Sequence, residues 1–367
     1  MRIRCTQQDL KRAMGTVIRA TLSRTSMPIL GNVLLETTEQ GLRVAATDLE
    51  LGVRTEIPAQ VERGGLVTLP ARLLSEIVAA LPPSAVELRV KEGTAAAEIT
   101  CERSSFEILG LPGSDFPRMP DGDVSWVCEL PASVLRTLIR STLFAAGTDA
   151  ARPFLTGVYV TAEEGAVRFV ATDGGRLAVR RAPATVQGTL GVIVPSRAMQ
   201  ELGRLSAGSE GTVRIGLVDN QAVFSLEGVR VTSRLVEGQF PNYQHVIPQE
   251  FKQRIRVGTE LLRAALRRVS ITARDSNTVV QMSAQAGVLR LQSNTPEVGR
   301  AQEEVEVEAS GEPVEVVFNA RYLLDALSVW ESAEVWLELT GPLSPGVLRP
   351  ADDPDYLYVV APVRVYR

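Results

Sequence analysis

A chain of 367 residues is too long for one ordinary hydrophobic core, so two or three domains are expected. Its 45% apolar and 22% charged residues are those of a globular protein. No apolar run approaches the roughly 18 residues of a membrane span, and Met1-Arg2-Ile3-Arg4-Cys5 lacks the apolar core of a signal peptide. Three scattered cysteines, an odd number without metal-ligand spacing, argue against a disulfide framework and for a reducing cytoplasm. A net charge of −4 counts against nucleic acid unless the charge is unevenly distributed.

The chain repeats itself. Ala46-Thr47-Asp48 followed by an apolar run recurs as Ala171-Thr172-Asp173, with Asp173 lying 125 positions after Asp48. A worn third copy is Gln292-Ser293-Asn294-Thr295. Recurrence at domain length implies one structural unit used three times.

Each third opens with a helical pattern: residues 9–20, 133–146 and 260–273. Apolar Leu10, Met14 and Val17, then Leu135, Leu138 and Ile139, then Leu262, Leu266 and Val269 recur at helical spacing, with Lys and Arg elsewhere on each wheel. A strand pair follows each helix: 32–36 with 42–46, 157–161 with 167–171, and 278–282 with 288–292. The turns between them carry Gly41, Gly165 and Gly287, which supply the positive φ that tight hairpins require.

A second helix is announced by Pro70-Ala71-Arg72, Pro195-Ser196-Arg197 and Asn319-Ala320-Arg321, and runs to about residue 81, 205 or 330. Alternating strands follow at 86–90 and 97–100, 213–217 and 222–226, and 335–339 and 356–360. Asp115-Phe116-Pro117 and Gln239-Phe240-Pro241 read as exits. The expected fold is α+β, three similar domains at 1–121, 122–249 and 250–367, each with two helices on one face of antiparallel sheet.

Charge is partitioned by element. The six helical stretches with their flanks carry 14 of the 39 basic residues and 5 of the 43 acidic ones, leaving 25 basic against 38 acidic elsewhere. Positive helices within an acidic chain suit a polyanion-facing surface, provided the helices share one side. The arginines and lysines lack interleaved stacking aromatics and a recognition-helix motif, which points to duplex phosphates bound without sequence preference. For a single helix, a solvated basic face would be the simpler reading; three equivalent helices favour the shared surface.

At this stage the chain resembles the bacterial DNA polymerase III β subunit family, the replicative sliding clamps. The carriers run in order along the whole chain: Pro28-Ile29-Leu30-Gly31-Asn32, Ala46-Thr47-Asp48-Leu49-Glu50, Leu69-Pro70-Ala71-Arg72, Val170-Ala171-Thr172-Asp173-Gly174, Arg176-Leu177-Ala178-Val179, Phe240-Pro241-Asn242-Tyr243 and Tyr358-Val359-Val360-Ala361-Pro362-Val363-Arg364. The resemblance implies two chains joined head to tail as a homodimeric, six-domain ring around duplex DNA, with helices lining the hole. It implies a processivity factor that tethers the replicative polymerase, the clamp loader and other clamp-binding proteins, with no catalytic residues, metal or cofactor of its own.

Arg24 matches a family DNA-contact position and Arg197 a basic one. Lys11, Arg12, Arg136, Arg140, Arg263 and Arg267 extend that surface along the helices. A loop at Asp149 and Pro153 departs from the polar and aromatic residues of the family. Matches at the dimer interface are Phe106 and Ile108, with Arg103 nearby, on one side and Ile271, Glu303 and Glu304 on the other.

The partner-peptide pocket implied by the resemblance comprises Leu155, Thr172, Gly174, Gly175, Arg176, Leu177, Pro241, His245, Val246, Val359, Val360, Ala361, Pro362, Val363 and Arg364. Gly175, Ala361 and Val363 replace larger residues frequent in the family, which implies a wider pocket. Tyr366-Arg367 lengthen the tail.

An enzyme fits poorly. One histidine, His245, excludes multi-histidine metal sites, and there is no Gly-rich phosphate loop or nucleophile elbow. Asp48 and Asp173 could be taken for metal carboxylates, but aspartates capping turn amides are the better account. A protein-only scaffold whose basic helices hold an acidic partner is the second alternative.

Overall fold

The computed structural model describes residues 1–23, 25–91, 93–120, 122–273, 278–296 and 298–364. Among these residues are six α-helices: α1 (Gln7–Val17), α2 (Ala71–Ala80), α3 (Ala132–Thr142), α4 (Ser196–Leu205), α5 (Thr259–Val269) and α6 (Ala320–Val329). α1, α3 and α5 each run on into a short 3-10 turn, ending at Ala20, Ala145 and Ala273. Thr6 caps α1 by accepting from the Asp9 amide, and Asn319 caps α6 by accepting from the Arg321 amide. α1 buries Leu10, Ala13, Met14 and Val17. α5 buries Leu262, Ala265, Leu266 and Val269, so its basic residues fall on the opposite side.

The chain forms two compact units, Met1–Leu135 with Glu201–Leu235 and Arg136–Gln200 with Val236–Arg367. The sheets explain why the middle third is shared between them. In the first unit, strand Leu51–Ile57 pairs antiparallel with Val229–Arg234, Val53 opposite Val231, and so fuses the sheet of the first third to that of the second. In the second unit, Arg176–Pro183 pairs with Tyr356–Val360, Ala178 opposite Tyr358, and makes the same join with the last third. A fully paired boundary leaves no raw strand edge there.

The second unit therefore holds a nine-stranded sheet running from Leu190–Pro195 across to Glu308–Gly311. It also holds a four-stranded sheet that ends on Gly299–Glu306. The first unit has a five-stranded sheet ending on Ser104–Leu109. All three hairpin glycines adopt positive φ, at 141°, 75° and 81° for Gly41, Gly165 and Gly287.

Candidate functional site

One cavity of about 300 Å³ in the second unit brings together Leu155, Thr172, Gly174, Gly175, Arg176, Leu177, Pro241, Val246, Val359 and Ala361. Asn242, Tyr243 and Pro345 complete the lining. Strands supply most of the floor. Leu177 and Val359 are opposite one another across the Arg176–Pro183 and Tyr356–Val360 pair, and both are buried. Beneath them pack Val170, Val179, Ile193, Phe240 and Val347. Phe240, from the Gln239-Phe240-Pro241 exit, stacks on Tyr159 with ring centroids 4.9 Å apart, and Tyr243 meets its edge at 6.5 Å. That aromatic layer carries the segment bearing Pro241 and Val246 to the cavity wall. Val246, on the short 3-10 turn Tyr243–Val246, is 51% exposed at the mouth.

The polar edge of the cavity is one tightly tied turn. Asp173 Oδ1 accepts from the amides of Gly175 at 2.8 Å and Arg176 at 3.0 Å. Thr172 Oγ1 donates to the Arg176 carbonyl at 2.6 Å and accepts from the Gly174 amide. Gly174 sits at φ 93°, a conformation that favours glycine. The Arg176 guanidinium is held by Asp173 at 2.9 Å and Asp325 at 2.6 Å. It lies 4.4 Å from the Tyr322 ring centroid and 5.7 Å from that of Phe144. Burial opposes its charge, but the Asp325 hydrogen bond and the charges of Tyr358, Asp173 and Asp325 outweigh it and raise its pKa.

Not every expected pocket residue lines this cavity. Val360 is fully buried and faces the core, because alternation along its strand turns it away from Val359 and Ala361. His245 is exposed beside Val246 but outside the lining. Pro362, Val363 and Arg364 also fall outside it; the Val363 amide is bound to the Val317 carbonyl, which draws this segment along strand Glu315–Asn319. Asn242, Tyr243 and Pro345 are pocket residues that the sequence did not mark as such; the first two belong to the recognisable Phe240-Pro241-Asn242-Tyr243, whereas Pro345 lies in a loop without a pattern.

The basic candidates divide by their partners. Lys11 and Arg267 are exposed on α1 and α5, without a carboxylate at ion-pair distance among the described residues. Arg197 is exposed near the start of α4. Arg12 pairs with Asp9 at 2.7 Å, Arg140 with Glu331 at 2.5 Å and Arg263 with Glu260 at 2.5 Å, so part of their charge is answered within the chain. Arg136 is half-buried, and with Arg140 lines a polar recess that includes Arg180, Asp352 and Asp353. Arg24 lies outside the described residues, as do Asp121 and Tyr366-Arg367.

Ser104–Leu109 presents Phe106 at 37% and Leu109 at 75% exposure on the free edge of its sheet. Ile108 lies on the same strand but faces the other way from Leu109. It is 2% exposed within the single chain and has almost no surface left to give a second copy; Leu109 has that surface instead. Arg103 is exposed at the turn before this strand. On the edge strand Gly299–Glu306, Glu303 pairs with Arg268, which holds its carboxyl below the usual range, and Glu304 pairs with Arg290 at 2.9 Å. Ile271 is 57% exposed. No helix among the described residues is long and apolar enough to cross a membrane, and none of their His, Cys, Asp and Glu side chains cluster as a metal site.

A three-fold repeated α+β chain with sheets continuous between repeats and an apolar cavity on one of them defines a DNA-clamp-type protein. Three families match in sequence: the DNA polymerase III β subunit N-terminal domain over residues 1–120, its central domain over 129–242 and its C-terminal domain over 244–364. The β sliding clamp of Synechococcus elongatus is 36% identical with all of both chains covered, and that of Bacillus subtilis is 32% identical with 98% of this chain and 99% of its own covered. Among solved structures, the Bacillus subtilis clamp superposes with a TM-score of 0.96 at 31% identity, covering 100% of each chain. A Bartonella birtlesii clamp bound to griselimycin gives 0.93 at 36%, again covering 100% of each chain.

The chain belongs to the DNA polymerase III β subunit family, the β sliding clamps. It is a DNA sliding clamp, a non-catalytic processivity factor that encircles duplex DNA and tethers the replicative polymerase.

Proposed function

We propose that two copies of this chain join head to tail, each pairing its Ser104–Leu109 edge with the partner's Gly299–Glu306 edge, and that the α-helices of the closed ring face the duplex. Exposed apolar Phe106, Leu109 and Ile271 beside unpaired strand edges support that contact, since such edges are otherwise a liability. Lys11 and Arg267 are the leading phosphate contacts, joined by Arg197 at the start of α4; Arg12, Arg136, Arg140 and Arg263 contribute less because they are paired or recessed, and Arg24 is included on its family position. A ring holds DNA by topology, so weak, salt-sensitive contacts suffice.

The observation that carries the reading is the apolar cavity floored by Leu177 and Val359 in a chain similar throughout to sliding clamps. Short apolar segments of the polymerase, the clamp loader and other partners dock there, and griselimycin, to which the Bartonella relative is bound, occupies the same cavity. Calorimetry with griselimycin tests this. The wild-type chain binds; Val246→Asp, which places a charge at the exposed mouth, and Leu177→Ala, which empties the floor, both weaken it while the dimer mass stays unchanged. Wild-type affinity in both variants would refute the assignment.

A further inference from the structure

Resting on that reading of the cavity, we infer that Asp325 on α6 is a positioning residue for partner binding, although it does not line the cavity. It acts through Arg176, the charged side chain that the described lining contains. An arginine on a binding wall usually reads as a receptor for an acidic group on the ligand. Here Nε is engaged by Asp173 and Nη1 by Asp325, and the guanidinium plane lies over Tyr322. The side chain is 12% exposed. Its charge is therefore committed within the chain, and its service to the cavity is mechanical.

That service can be followed atom by atom. Asp173 closes the turn by accepting from the Gly175 and Arg176 amides, then holds Arg176 through its other oxygen. Arg176 carries the connection on to Asp325, one helical turn beyond Tyr322. The turn fits flush against α6, because a Cβ at Gly175 would stand 3.0 Å from Tyr322 Cε2. Tyr322 is fixed in turn by its carbonyl, which accepts from the Tyr358 hydroxyl at 2.8 Å. The cavity edge formed by Thr172, Gly174 and Gly175 is thus held at a fixed distance from α6. Without the Asp325 charge, Arg176 keeps one anchor, and the turn and the guanidinium are free to move into the mouth.

The test uses the full-length dimer and griselimycin as the probe. Asp325→Asn is expected to weaken binding about tenfold, Asp325→Glu to restore most of it, and the Asp325→Asn/Arg176→Gln double variant to bind no worse than Arg176→Gln alone, the signature of one shared pathway. Hydrogen exchange at the Gly175 and Arg176 amides should accelerate in Asp325→Asn while amides within α6 stay protected. Wild-type affinity in Asp325→Asn, or additive losses in the double variant, would overturn the inference. Val246→Asp and Leu177→Ala serve as the controls: if both bind griselimycin normally, the cavity assignment fails; if they are impaired and Asp325→Asn is not, only the role of Asp325 fails.

Discussion

Asp48 and Asp173 are the same hydrogen-bonding device built twice in one chain. Asp48 Oδ1 accepts from the Glu50 amide at 3.0 Å and the Leu51 amide at 2.7 Å, as Asp173 Oδ1 does from Gly175 and Arg176. Thr47 donates to the Leu51 carbonyl as Thr172 does to that of Arg176. Both aspartates cap turns, the role their place after a Thr in a turn suggested. Asp48→Ala would strand turn amides next to the buried Leu51 and is expected to cost about 1–3 kcal/mol, with Asp48→Asn costing less because an acceptor remains. Denaturant unfolding of the two variants measures the difference.

The dimer contact predicts a mass change. Sedimentation at micromolar concentration should give twice the 39.7 kDa chain for wild type. Phe106→Arg or Ile271→Glu places a charge on an exposed apolar edge residue and should shift the population to a folded monomer, since neither side chain is buried in the single chain; far-UV circular dichroism checks that the fold is kept.

Duplex binding should follow counterion release. Lys11→Ala and Arg267→Ala each remove an exposed cation, and each should reduce the slope of log K against log salt by about 1. Arg263→Ala should change it less, because Arg263 is already paired with Glu260. Titrations of a short duplex across a salt series separate the two classes.

The cysteines give a pH signature. Burial pushes the Cys5 thiol up to about 12, the Asp9 charge adding to it, and Cys128 up to about 11, with Glu129 adding. Native chain at pH 8 should resist iodoacetamide, and all three thiols should react in urea. A raised thiol pKa means the folded state binds protons more tightly, so this contribution is complete below the ordinary value of 9.0 and is lost as pH rises above it. Unfolding measured from pH 8 to 10.5 should show stability falling above 9.

Repetition made much of this fold readable. The helices and hairpins foreseen from residue patterns are present, the hairpin strands slightly longer, with Asn32–Thr38 and Gly41–Thr47 observed where 32–36 and 42–46 were expected. Strands such as Arg2–Thr6 and Gln253–Gly258 were missed because alternation with arginines leaves too few apolar residues to register. The fusion of sheets through Val53 with Val231 and Ala178 with Tyr358 is a long-range pairing that no local pattern reports. At the cavity, Leu155, Leu177 and Pro241 could be found by resemblance. Val360 could not be separated from Val359 without knowing which strand face looks inward, and Asp325 carries no motif of its own.

Encirclement is tested most directly by topology. The clamp is loaded with its cognate loader onto a nicked circular plasmid and passed through a gel-filtration column, before and after the plasmid is cut once. Co-elution with the circle and release on cutting is the predicted result. Equal retention on the linear molecule would contradict a ring that holds DNA by enclosing it.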